Sequence, residues 1–255
     1  VPYDYEQFCK DLTALVKEGK VKESRIDDAV RRILKLKFKL GLFENPVTKL
    51  SDYPDFGSDK HEKLAYKAAA DAITLLKNKN NILPLNKNIK ILVTGPNANS
   101  MRSLNGGWSY SWQGEKTERY AAQYHTILEA VQQKIGEKNV LYEPGVSYVE
   151  TGQYFEEKEN GLQKAVAAAR KVDAIVLCLG ENSYAEKPGD LNDLNLSELQ
   201  IKLAKSLSAV NKPIILVLNE GRPRCFSAIE SKMNAIVQTY LPGNYGGDAL
   251  ADILF

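Results

Sequence analysis

Two stretches of this 255-residue chain hold the side chains best suited to chemistry. The first, DAIVLCLGENSYAEKPGDLNDLNL at residues 173–196, joins an apolar run to an acidic tail. Residues 174–179 are all apolar and rich in branched side chains, which reads as a strand buried on both faces of a parallel sheet, closed by Gly180. Glu181 follows at once. In an open α/β sheet the ligand crevice lies at the carboxyl ends of the strands, so a carboxylate on the first loop position is placed to meet a substrate. Desolvation beside an apolar strand end favours the protonated carboxyl that a general acid needs. The other reading of Glu181 is a helix cap or an ion-pair partner. Glu186, Asp190 and Asp193 share the loop, with Pro188 and Gly189 as turn formers, and could orient it, bind hydroxyls or be solvated.

The second stretch, PNANSMRSLNGGWSYSWQG at residues 96–114, follows the apolar run IKILVTG at 89–95 and is expected on the same edge of the sheet. It carries both tryptophans, Trp108 and Trp112, after the flexible pair Gly106 and Gly107. An aromatic ring on a polar, glycine-rich loop offers a flat apolar face to the CH-lined face of a sugar, while polar neighbours hold the hydroxyls. Packing over a sheet edge is the alternative; it is favoured for Trp112 and left open for Trp108. Phosphate chemistry is poorly supported, because TGPNAN lacks the Gly-x-Gly-x-x-Gly spacing and no Gly-Lys-Ser/Thr occurs. His61 and His125 fall in or at the start of helical segments and read as structural. Arg222 and Arg224, in GRPRCF, could bind an anion, although salt-bridging is favoured. The three cysteines, Cys9, Cys178 and Cys225, are far apart and give neither metal spacing nor a disulfide framework, so no metal and no cofactor is expected.

The elements that must position these loops follow from periodicity. Lys and Arg exceed Asp and Glu by 34 to 32 without a basic run, which argues against a nucleic-acid partner. Apolar runs fall far short of bilayer length, so no membrane partner is expected. No secretory leader is evident, though the chain opens on Val1. Residues 5–40 hold two amphipathic helices. One ends at Gly19, and the other is expected to start at an N-cap on Ser24. Two helices cannot close a core of their own. The stretch 41–57, with two prolines, marks a linker. A helix is expected over about 59–77, then a strand at 89–95, and from there helices (126–135, 156–171, 197–210) alternate with the strands NVLYEPG, 174–180, PIILVLN and NAIVQTYLPG. This pattern specifies an α/β fold, a mostly parallel sheet with helices on both faces.

Four segments in order, HEKLAYKAAADAITLLKN with ILPL, NGGWSYSWQG, VLCLGENSYAEKPGDLNDLNL and YLPGNYGGDALADILF, resemble glycoside hydrolase family 3, the β-glucosidase-like enzymes. The resemblance implies that residues 1–43 are terminal helices of a (β/α)8 barrel domain, 44–58 a linker, and 59–255 an α/β sandwich domain that in the family continues further. It also implies a retaining, exo-acting β-glycosidase whose Asp nucleophile lies on the barrel and whose acid/base Glu lies on the sandwich domain. By resemblance the acid/base falls on Glu181, with Glu186 as the fallback, and the sugar-stacking tryptophan on Trp108. Retaining hydrolysis needs two carboxyl groups about 5–5.5 Å apart, and only one of them is expected here. The chain is thus expected to be a fragment that is inactive alone, with a β-linked oligosaccharide or glucoside and a barrel domain, in the same polypeptide or a second chain, as partners. β-Glucosidase activity is expected first, β-xylosidase or N-acetylhexosaminidase activity second. The family allows a periplasmic or secreted location, which the residues do not specify. Rival readings are a non-catalytic carbohydrate-binding α/β module and, more weakly, a flavodoxin-like nucleotide domain.

Overall fold

The computed structural model describes residues 3–255, which form two compact units divided between Ser58 and Asp59. The first holds helices α1 (Tyr5–Lys17) and α2 (Glu23–Lys39), and neither buries a residue. Gly19, at φ 74°, turns the chain out of α1. The N-cap expected at Ser24 is not there: Lys22 is extended at the cap position, and Ser24 already lies in the first turn.

The second unit contains α3 (Asp59–Ala72), β1 (Thr74–Asn78), β2 (Ile91–Thr94), α4 (Met101–Asn105), α5 (Thr117–Tyr120), α6 (Ile127–Ile135), β3 (Val140–Tyr142), β4 (Gly145–Tyr148) and β5 (Glu157–Asn160). It continues with α7 (Leu162–Ala169), β6 (Ala174–Gly180), α8 (Glu198–Ser208), β7 (Ile214–Asn219), α9 (Ser227–Glu230), β8 (Ala235–Gln238) and α10 (Gly246–Leu254). Six strands form one sheet in the order β1-β8-β7-β6-β2-β3; β4 and β5 pair apart as an antiparallel hairpin. Within the sheet every pairing is parallel except β1 against β8.

Alternation along the central strands builds a core on each face. Val176 and Cys178 pack with Ile91, Val93, Val217 and Val237 on one side. Ile175, Leu177 and Leu179 pack with Leu92, Leu216 and Ile236 on the other. Helices α6 and α10 cover the first face, and α7, α8 and α9 the second. Strands buried on both faces are the continuous apolar runs that the sequence displays.

Two boundaries differ from expectation. Helix α3 stops at Ala72, so Leu75 and Leu76 lie on β1, where the β-branched Thr74 and the open edge of β8 favour strand pairing over continued helix. The helix expected from 156 starts at Leu162, because residues 157–160 pair with β4 and Gly161, in the left-handed region at φ 79°, turns the hairpin into α7.

The strand order fixes where a ligand can enter. From β2 the chain moves outward to β3, then crosses back to begin β6 on the other side of β2. The crevice of such a sheet opens at this reversal, between the carboxyl ends of β2 and β6. The two loops singled out in the sequence leave from those two ends.

Candidate active site

Glu181 is the first residue beyond β6, and its backbone N–H donates to the Asn219 carbonyl at 3.1 Å, continuing the pairing with β7. Asn97, just beyond β2, ties the strand ends together: its Nδ2 donates to the carbonyl oxygens of Glu181 and Asn219, each at 3.0 Å. Tyr148, from β4, donates to Asn97 Oδ1 at 2.8 Å. The strand ends are therefore held before the loops begin.

The Glu181 side chain is buried among partners. Its Oε1 accepts from Arg222 Nη2 at 2.8 Å, Arg222 Nε at 3.1 Å and Arg224 Nη1 at 2.9 Å. Oε2 accepts from the Tyr184 hydroxyl at 3.0 Å. With only 2% of the side chain exposed, Glu181 adopts the ion-pair geometry, and Arg222 and Arg224 the salt-bridging one. Sequence reasoning identified all three residues without joining them, because their meeting depends on β7 lying beside β6.

Glu186 is placed differently. It is exposed on the same loop, with φ 56° and ψ −148°. That region is costly for a side chain, roughly 1–3 kcal/mol, and such residues cluster where geometry serves function. A single 3₁₀ turn, Lys187–Gly189, follows it, closed by Gly189 N–H donating to the Glu186 carbonyl at 2.8 Å. Asp190 and Asp193 are also exposed; Asp193 accepts from the backbone N–H of Asn195 at 2.9 Å.

The tryptophan loop is fastened to this one. Gln113 reads both backbone groups of Ala185, donating to its carbonyl and accepting from its N–H, each at 3.0 Å. Arg102 Nε donates to Ser183 Oγ at 2.5 Å, and the same hydroxyl donates to the Gln113 carbonyl. Gly107 lies so close that a Cβ there would sit 2.1 Å from the Tyr184 carbonyl oxygen and 2.9 Å from Ala185 Cβ. Trp108, the next residue, sits at φ 57° and is 69% exposed, its backbone N–H donating to the Trp112 carbonyl at 2.9 Å; Trp112 is 44% exposed.

A third carboxyl lies behind the site. Glu220 is 1% exposed; its Oε1 accepts from the Arg224 backbone N–H at 2.9 Å, while Oε2 has no partner. Burial, and then the nearby Glu181, push it up to about 7 against the opposing pull of Arg224. The sequence offered no signal for it beyond its place at a strand end. Among the described residues, no group of three or more His, Cys, Asp or Glu side chains could hold a metal ion. His125 pairs with Asp248 at 2.9 Å.

Known proteins resemble this chain in sequence and fold. Residues 73–255 match the model of the glycosyl hydrolase family 3 C-terminal domain. A lysosomal beta glucosidase of Dictyostelium discoideum is 38% identical over 269 aligned residues, covering all of this chain and 31% of that protein. A beta-xylosidase of Formosa agariphila is 33% identical, covering 90% of this chain and 31% of its own length. Among solved structures, the beta-glucosidase from Listeria innocua in complex with glucose superposes with a TM-score of 0.73 at 31% identity, covering 95% of this chain and 32% of that one. The chain thus spans about a third of the length of these relatives. With its mostly parallel sheet, its two facing loops and a match over most of its length, this chain belongs to glycosyl hydrolase family 3.

Proposed function

We propose that this chain supplies the proton-transferring and sugar-stacking side of a retaining, exo-acting β-glycosidase, with β-glucosides as substrates, and that Glu186 is the acid/base. The observation carrying this choice is the contrast between the two glutamates. Glu181, the first expectation, spends both oxygens on Arg222, Arg224 and Tyr184 and is closed to solvent. A proton donor must reach within hydrogen-bond distance of the departing oxygen, and the exposed Glu186 is free to do so. Its neighbour Trp108 would lie along the leaving-group sugar.

In this reading a carboxylate nucleophile on a barrel domain attacks the anomeric carbon while Glu186 protonates the leaving oxygen. Glu186 then takes a proton from the water that releases the glycosyl-enzyme. The barrel domain belongs to the same polypeptide or a second chain, and residues 1–43 are its terminal helices. Support comes from the short span of this chain relative to its matches and from two helices that bury no residue.

The test uses the full-length polypeptide and two substrates, a dinitrophenyl β-glucoside, which needs little protonation, and a cellobiose-like glucoside, which needs it. Glu186→Ala should lose about 10²- to 10⁴-fold in kcat/KM on the second, far less on the first, and form glycosyl azide when azide is added. Glu181→Ala should fall alike on both and give no azide product. The reverse pattern would return the role to Glu181, and retained sugar binding without turnover would favour a carbohydrate-binding module.

A further inference from the structure

One side chain grips the turn that presents Glu186 from both flanks. Arg222 lies three residues beyond β7, and its guanidinium reaches across to the loop that leaves β6. Besides its bonds to Glu181, Nη1 donates to the Gly189 carbonyl at 2.8 Å and Nη2 to the Tyr154 hydroxyl at 3.2 Å. Its Cζ lies 4.4 Å from the centre of the Tyr184 ring. Tyr184 is two residues before Glu186, and Gly189 three residues after. These two also pack on each other: a Cβ at Gly189 would sit 2.1 Å from Tyr184 Cδ2. Gly189 in turn donates its N–H to the Glu186 carbonyl.

We infer that Arg222 is a positioning residue for Glu186, setting the height and direction of its turn above the strand ends. This rests on the reading of Glu186 as the proton donor. A guanidinium suits the task because its planar fork of five donors can satisfy a carboxylate, a carbonyl and a hydroxyl at once while its face stacks on an aromatic ring. An ammonium could keep the charge beside Glu181 but not hold all of these partners. Glu181 acts as the counter-charge that lets two guanidiniums stand in a partly buried place. Arg224 serves the far end of the same loop, donating to the carbonyls of Leu194 and Asn195.

The test again uses the full-length polypeptide, with Arg222→Met, Arg222→Lys, Glu186→Ala and the double variant Arg222→Met/Glu186→Ala. The readout is the ratio of kcat/KM on the cellobiose-like substrate to that on the dinitrophenyl glucoside. Misplacing a catalytic group by about 1 Å costs on the order of a hundredfold, so Arg222→Met should lower the ratio by about ten- to a hundredfold, with Arg222→Lys between it and wild type. In the Glu186→Ala background, Arg222→Met should leave the ratio unchanged. Should Arg222→Met fail to fold, Arg222→Lys decides by the same ratio. Equal losses on both substrates would make Arg222 merely structural and overturn the inference while Glu186→Ala still showed its own leaving-group dependence. No such dependence for Glu186→Ala would overturn the reading beneath it as well.

Discussion

Glu220 shows how a single buried carboxyl can couple this fold to pH. Its unfolded form has the ordinary carboxylate pKa, whereas burial holds the folded form up to about 7. Between about 4.5 and 7 the folded state therefore binds more protons than the unfolded one, and stability falls as pH rises through that window. Glu220→Gln mimics the protonated acid and removes the loss. Thermal unfolding should show the variant more stable than wild type at pH 8, by at most about 3 kcal/mol, with the advantage shrinking toward pH 5. A constant difference across that range would mean that Glu220 is ionised in both states. The neighbours that set its behaviour, Arg224 and Glu181, are the groups that anchor the loop, so the same variant checks whether the anchor tolerates a second charge.

At the scale of elements, two local devices carry sharp expectations. Thr126 caps α6 in a reciprocal box, its Oγ1 accepting from the Glu129 backbone N–H at 3.3 Å while the Glu129 side chain accepts from the Thr126 N–H at 2.9 Å. Thr126→Ala should cost about 1 kcal/mol, read as a lower denaturant midpoint with an unchanged slope. Gly107→Ala tests the seam between the loops. The added methyl has no room beside the Tyr184 carbonyl, so the Trp108 segment must retreat from residues 184–186. Binding of a disaccharide by the full-length polypeptide should weaken about tenfold, equivalent to ~1.4 kcal/mol of lost stacking, while a monosaccharide is little affected. The span of α6 and the central strands are local patterns, and they were legible as such in the sequence. The hairpin β4–β5 was not, because Glu157–Asn160 is a polar segment whose strand form exists only through pairing with Gly145–Tyr148. The end of α3 was missed for a related reason: the apolar period ran on through Leu76, but the edge of β8 claimed those residues. The site was half legible. Strand-end position singled out Glu181, but its arginine partners come from the segment just beyond β7, some forty residues on, and adjacency in the sheet is not written in local spacing.

For the whole molecule, the division at Ser58 makes a prediction about autonomy. Both hydrophobic clusters are drawn from the second unit, from Ile73 to Phe255. Helices α1 and α2 bury none of their residues, so removing them should take little from that core. Residues 59–255 expressed alone should unfold in one cooperative transition, within about 4 °C of the 255-residue chain, as expected for a change of no more than ~1 kcal/mol in a unit of this size. A folded sheet should nonetheless turn over no dinitrophenyl β-glucoside. Leaving-group protonation is almost superfluous for that substrate, so its hydrolysis depends on the attacking carboxylate, which the proposal assigns to a barrel domain. The substrate thereby separates the two halves of the chemistry. Hydrolysis by the isolated unit that survives Glu186→Ala would demand a nucleophile within residues 59–255 and would end the shared-site proposal. A folded, inert unit that regains turnover only when joined to a barrel half would fit a sheet whose loops carry the proton and the stacking ring but not the attack.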